Sequence, residues 1–422
     1  MKERKIFNYL NMKYIVGFIL LVGFYSCQEK LQVKSGDLPM LIDISDVEYS
    51  ATPQPLSDFV ESIEYIKLSE EPLVTDVVLT RLSEDNNGNL YLDVPGGLFK
   101  YTPDGTFIKN LIKIGQGPNE ITSKPVANSV FNFDKEFILI NDNGRGYYQK
   151  ISLDGDFLER TDRSIISNGE FLGRRDIYAY WKNFELYKWT NGVGLPNQGE
   201  YTNRDSLYFF HIKDLNTDSD IYKMTNHHFQ IKGKIIGSWY RHKSYPIYRG
   251  TLNNTTYWVK PLFVDTVYCT TDWTDVKPLY VIKKNKDAAD YEWEMKLFTG
   301  SGNVTWNEMK NKDRLNDVMA LENGILFCYL QELPDKTGTG FCPANGKAKA
   351  FSQLFKNDID EYCPSLDLGN LMFNRVLFQK EGYIYAPINA FKFFEEGAKP
   401  PFPDLTEESN PVIVKLKLKK NG

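Results

Sequence analysis

An all-β fold built from repeated antiparallel units is what this sequence predicts, and three observations predict it. The first is composition. Of the 422 residues 14% are aromatic, with 26 Tyr and 27 Phe, and 30 Gly punctuate the chain. Strand-favouring aromatics with frequent turn glycines suit many short strands better than long helices. The second is the recurrence of turns. Asn-Gly or Asp-Gly pairs stand at 87–88, 104–105, 143–144, 154–155, 168–169, 191–192, 323–324 and 345–346. Such pairs favour the two-residue turns with positive φ that match the twist of a hairpin. The third is an internal repeat. Gly88-Asn89-Leu90-Tyr91-Leu92-Asp93 leads to Thr102-Pro103-Asp104-Gly105-Thr106-Phe107-Ile108. Some fifty residues later Glu136-Phe137-Ile138-Leu139-Ile140-Asn141-Asp142 leads in register to Ser152-Leu153-Asp154-Gly155-Asp156-Phe157-Leu158. A period near fifty with several strands per unit is the sequence form of a propeller blade. At roughly fifty to sixty-five residues per unit, residues 56–422 give a six-bladed β-propeller of four-stranded antiparallel blades.

The elements follow in order. Lys2, Arg4, Lys5 and Lys13 precede an apolar run from Tyr14 to Tyr25. About a dozen residues are too few to span a bilayer and fit the apolar core of an export signal. The run ends in Gly23-Phe24-Tyr25-Ser26-Cys27, which resembles the lipobox of bacterial lipoproteins. That resemblance implies cleavage after residue 26 and acylation of Cys27, so that a lipid ties the chain to a membrane. A secretory signal followed by an incidental cysteine is the competing reading, and both export the chain. Residues 27–55 are polar, with Gly36, Pro39, Pro53 and Pro55, and read as a tether.

Later units are more degenerate. Leu207-Tyr208-Phe209-Phe210-His211-Ile212 and Phe263-Val264-Asp265-Thr266-Val267-Tyr268 read as strands. Gly324-Ile325-Leu326-Phe327-Cys328-Tyr329 and Gly382-Tyr383-Ile384-Tyr385-Ala386 open the last two units. Val412 to Leu418 alternates cleanly and is placed to close a ring against Tyr65-Ile66-Lys67-Leu68. Cys328 and Cys342 flank a turn-like stretch centred on Asp335. A hairpin there allows a cross-strand disulfide, against the alternative of buried free thiols. No two cysteines have the C-x-x-C spacing of a structural zinc site.

The stretch Lys113-Ile114-Gly115-Gln116-Gly117-Pro118-Asn119-Glu120 reads as a phosphate loop or as a connection between sheets. A phosphate loop needs its glycines to run into a helix, usually with Lys-Ser or Lys-Thr following. Pro118 follows instead, so the stretch is a linker whose glycines avoid a side-chain clash. The combined pattern now resembles a known family. NHL-type blades carry Gly-Asn-x-Tyr-x-x-Asp, an aspartyl-glycine turn and a Gly-x-Gly linker, in the order found between Gly88 and Glu120. More closely, the linker, Asp265-Thr266-Val267-Tyr268 and Asn410-Pro411-Val412-Ile413 resemble the six-bladed β-propeller lipoproteins of Gram-negative bacteria, a family of largely unassigned function. Asn119 stands where that family often has glycine, and residues 170–225 show little of its pattern.

The net charge of −5 and the lack of a basic block point away from nucleic acid. Four histidines, His211, His227, His228 and His242, make a small supply. Neighbouring His227 and His228 on one strand would face opposite ways, so no metal site is expected. The serine elbow and zinc-helix motifs of common hydrolases are missing, and no cofactor or catalytic residue is assigned. Asp85-Asn86-Asn87-Gly88-Asn89 lacks calcium-loop spacing and reads as a turn.

Two groups remain as candidates for ligand binding. Arg145, in Asn141-Asp142-Asn143-Gly144-Arg145, either braces strands, as the NHL resemblance implies, or clamps an anion. Tyr180, Trp181 and Trp189, with Tyr178 and Tyr187, either stack on sugar rings or pack a core. The function expected is therefore a lipid-anchored envelope module that binds a glycan or an envelope protein. The alternative is a propeller enzyme acting on carbohydrate, of lactonase, lyase or glycosidase type.

Overall fold

From Arg81 onward the strands within each sheet follow one another in chain order and antiparallel, because a tight turn separates most apolar runs from the next. The computed structural model describes residues 39–420 except 75–76, 78–79, 123–128, 143–144, 163, 168–169, 182, 191–207, 226–246, 249–256, 260–264, 271–275, 291–292, 294–307, 309–310, 332–335 and 374–376. Arg81–Glu84, Leu90–Val94, Gly97–Tyr101 and Phe107–Asn110 form one four-stranded sheet in sequence order. Ser129–Asn132, Phe137–Asp142, Tyr147–Ser152 and Phe157–Asp162 form the next. A third meander runs from Ser164–Ser167 to Ser219–Thr225, and a fourth from Ile247–Tyr248 to Lys277–Lys283. Arg314–Leu321, Gly324–Gln331 and Lys336–Pro343 follow.

The closing sheet joins the two ends of the chain. Phe378–Lys380, Tyr383–Ile388 and Val412–Leu418 are completed by Val60–Lys67 on the outer edge. The last strand pairs with Val60–Lys67 as the sequence predicted, Ile413 opposite Ile66 and Val414 opposite Tyr65.

Neighbouring sheets stack face to face, and period-two alternation sends side chains to both neighbours. Leu90, Leu92 and Val94 pack with Tyr385 and Ile413 of the closing sheet. Tyr91, between them, packs the other way with Ile138, Ile140 and Phe133 of the 129–162 sheet. Phe137, Leu139 and Tyr148 then meet Ile177 and Tyr180 of the 164–225 sheet. Met319, Leu326 and Cys328 of the 314–343 sheet meet Ile384, Val412 and Val414 of the closing sheet. Middle strands buried on both faces, sheets in chain order and a seam that joins the termini make a β-propeller.

The repeat read from sequence is one physical device used twice. In both copies the glycine adopts positive φ, +88° at Gly105 and +84° at Gly155. In both, the hydroxyl three residues earlier accepts from the backbone, Thr106 N–H to Thr102 Oγ1 and Asp156 N–H to Ser152 Oγ, each at 3.0 Å. Each glycine also packs against the carbonyl that ends the preceding sheet. A Cβ on Gly105 would lie 2.1 Å from the Lys67 oxygen, and one on Gly155 would lie 2.8 Å from the Leu111 oxygen. The junction of the closing sheet with the 81–110 sheet is thus built like that of the 81–110 sheet with the 129–162 sheet. The Asn-Gly pairs at 143–144, 168–169 and 191–192 lie outside the described residues.

Two points differ from expectation. Residues 40–55 are not a tether: Met40–Asp43 lies parallel between Lys277–Lys283 and Gly346–Lys347. Glu48–Tyr49 pairs with Ala350–Phe351, and Gln54–Pro55 with Phe355–Lys356. Alternating Met40, Ile42 and Ile44, all buried, bind this strap to the outer edges of the sheets. The sheets are also not uniformly four-stranded. The 164–225 sheet gains a fifth strand, while the 314–343 sheet keeps three and meets Ser352 through a single bridge at Thr339. The hairpin that carries Cys328 and Cys342 exists, and of its two readings the structure bears out buried thiols without a disulfide. With Gln331 opposite Lys336, the register pairs Cys328 with Thr339 and Ile325 with Cys342, so the two sulfurs do not face each other.

Candidate functional site

Between Tyr383–Ile388 and Val412–Leu418 runs a connection, 389–411, that holds a 3-10 helix, Ala390–Phe394. With three residues per turn, side chains three apart fall on one side. Ala390 and Phe393 are buried, at 2% and 0% exposure, while Phe391 and Phe394 are exposed, at 45% and 38%. The sequence Ala-Phe-Lys-Phe-Phe therefore makes a short ledge of two rings, rising about 6 Å from one to the next. Lys392 Nζ lies 5.5 Å from the centroid of the Phe391 ring and pairs with Glu395.

The ledge is firmly mounted. Phe393 meets Tyr65 edge to face at 5.9 Å, and the Tyr65 hydroxyl donates to Asp360 Oδ1 at 2.9 Å. Burial, then the Asp360 carboxylate, holds the Tyr65 phenol far above its ordinary pKa, so it stays a donor. Lys399 on the same connection pairs with Glu361 at 2.6 Å. Asn410, 1% exposed, ends it: its side chain donates to the oxygens of Ser69, Glu70 and Pro72 and accepts from Val74 N–H at 2.7 Å. Exposed rings beside charged pairs can stack on the C–H face of a sugar or on an apolar side chain, with polar groups at hand for orientation.

The residues singled out from sequence lie elsewhere. Arg145 sits over the Gly115–Gly117 linker. Its Nη1 donates to the oxygens of Glu120 at 3.1 Å and Gly117 at 3.3 Å and to the Tyr147 hydroxyl, and its Nη2 to Gln116 O at 2.9 Å. The linker glycines keep ordinary φ. What they make room for is Glu120, whose carboxylate accepts from Gly117 N–H at 2.8 Å and would meet a Cβ on Gly115 at 2.1 Å. Tyr180 is buried, 5.0 Å from Phe137, and donates to Glu185 at 2.9 Å. By register Trp181 pairs with Phe184, and Trp189 with Arg175.

Cys27 and His227, His228 and His242 fall outside the described residues, while His211 is buried beside Asp220 at 3.2 Å. Asp85 closes its turn by accepting from the N–H groups of Asn87 and Asn89. Asp142 accepts from Thr122 Oγ1 at 2.6 Å. Among the described residues no group of three His, Cys, Asp or Glu side chains could hold a metal ion. No described helix is long and apolar enough to cross a membrane.

Comparison with known proteins places these features in context. A family model described as a domain of unknown function, DUF4934, matches residues 40–417. A Bacteroides fragilis protein classed, by inference, as exported superposes with a TM-score of 0.57 at 15% identity, covering 90% of this chain and 100% of that one. A DUF4221 family member from Bacteroides vulgatus gives 0.47 at 13% identity over 86% of this chain and 98% of its own. The virginiamycin B lyase of Staphylococcus aureus gives 0.34 at 10% identity over 85% and 99%. No curated protein matches the sequence.

Proposed function

The chain belongs to the DUF4934 family of unknown function, and we propose that it is a six-bladed, lipid-anchored envelope propeller that binds a glycan. Residues 1–26 are read as its export signal and Cys27 as its lipid attachment. The Bacteroides fragilis protein of similar fold, classed by inference as exported, supports that address. The observation that carries the binding role is the ledge: Phe391 and Phe394 expose their rings on a connection whose other side is packed against Tyr65. Envelope proteins offering an apolar side chain are the second class of partner for the same surface.

A thermal-shift screen tests this reading, with oligosaccharides and divalent cations, with and without chelator. We expect one sugar class to raise Tm saturably. The double variant Phe391→Ser, Phe394→Ser should lose that rise and keep the unliganded Tm. A sugar-induced rise that survives in the double variant would move the site elsewhere. A rise with divalent cation that chelator removes would instead favour the carbohydrate-enzyme alternative. A flat panel would turn the search to an envelope protein.

A further inference from the structure

We propose that residues 40–55 are a releasable strap, which stitches the outer edges of two neighbouring sheets and comes away as a unit while the sheets stay folded. The pairing pattern is the first support. Met40–Asp43 has both edges occupied, Ile42 opposite Ile282 on one side and Gly346 on the other. The strap therefore joins the 247–283 sheet to the segment that follows the 314–343 sheet. Every ladder it makes is parallel and short: four residue pairs, then two, two and two. Parallel pairs are slightly weaker per residue than antiparallel ones, and the long antiparallel ladders inside the sheets do not involve the strap.

The core is the second support. Leu56, Phe59 and Val60, which directly follow the strap, pack in the cluster shared by the last two sheets, so the chain is anchored in the sheet stack immediately beyond it. The join between the two parts is the short turn Leu56–Asp58, whose N-cap Pro55 makes no side-chain capping bond. A local opening of this kind has its own free energy, smaller than that of global unfolding. Release would uncover the edge of Lys277–Lys283 and of residues 346–356, two acceptors for an extended strand.

Two cysteines report on it. Cys342 is 0% exposed beneath the strap, its Sγ 3.7 Å from Asp43 O, whereas Cys363 is 2% exposed within the cluster between the last two sheets. Burial pushes both thiols up to about 11, so they start from like chemistry. The experiment is thiol labelling of the purified chain under native conditions, with the sites resolved by peptide mapping. We expect Cys342 to label at least tenfold faster than Cys363. Ile42→Asn should speed Cys342 by a further tenfold and leave Cys363 unchanged, and a peptide of residues 39–55 added in excess should slow it again. Equal labelling rates in the unaltered chain would overturn the proposal even if the variant failed to fold. So would an Ile42→Asn effect shared equally by both cysteines.

Discussion

Asn410 lies between the two ends of the chain, where its amide reaches four backbone groups of residues 69–74. Replacing it by Ala leaves the buried Val74 N–H without this acceptor and removes three bonds to part-buried oxygens. One unmet buried donor costs roughly 1–3 kcal/mol, so Asn410→Ala should destabilise by about 1–3 kcal/mol. Urea unfolding measures this, and a loss under about 0.5 kcal/mol would remove Asn410 from the seam. Asn410 stands in a motif that sequence reading flagged only by resemblance, since its partners lie some 340 residues away. Gly115 and Gly117 were legible as a linker, but the reason for them was not. A sequence shows that a side chain is missing; it does not show that the Glu120 carboxylate folds back into the gap. Tyr180 and the ledge make the opposite pair. Both are aromatic runs, and only packing decides that Tyr180 is buried beside Phe137 while Phe391 faces water.

At the scale of the element, strands and turns were legible wherever an alternating run meets a Gly-bearing turn, as at residues 88–108 and 136–158. The strap was missed because Pro39, Pro53 and Pro55 mask a short alternation at Met40, Ile42 and Ile44. Its charge pattern gives it a pH dependence. Two hydrogen bonds from Ser45, ahead of the Lys283 ammonium, hold Asp43 down at about 2. Asp46, paired with Lys347, is lowered for the same kind of reason. A carboxylate with a depressed folded pKa stabilises the fold above its unfolded pKa and loses that contribution as pH falls through the folded value. The strap should therefore loosen between about pH 4 and pH 2. Comparing urea midpoints at pH 5 and pH 2.5 tests this: Asp43→Asn should lower the midpoint at pH 5 and narrow the gap between the two. An unchanged gap would mean that Asp43 does not fasten the strap.

At the scale of the molecule, the ring was the most legible feature, because a terminal strand of strict alternation needs a partner edge and Val60–Lys67 supplies one. The central seam has seven paired positions across it, from Val412 opposite Lys67 to Leu418 opposite Val60, and the Gly105 turn packs over its end. If the ends of the chain close one ring, that seam is as stable as any sheet interior and the ledge rides on a fixed support. Amide hydrogen exchange under native conditions is the most direct test. Val412–Leu418 and Val60–Lys67 should exchange together, as slowly as Leu90–Val94. Rapid exchange of Val412–Leu418 while Leu90–Val94 stays protected would contradict it and leave the propeller open at its seam.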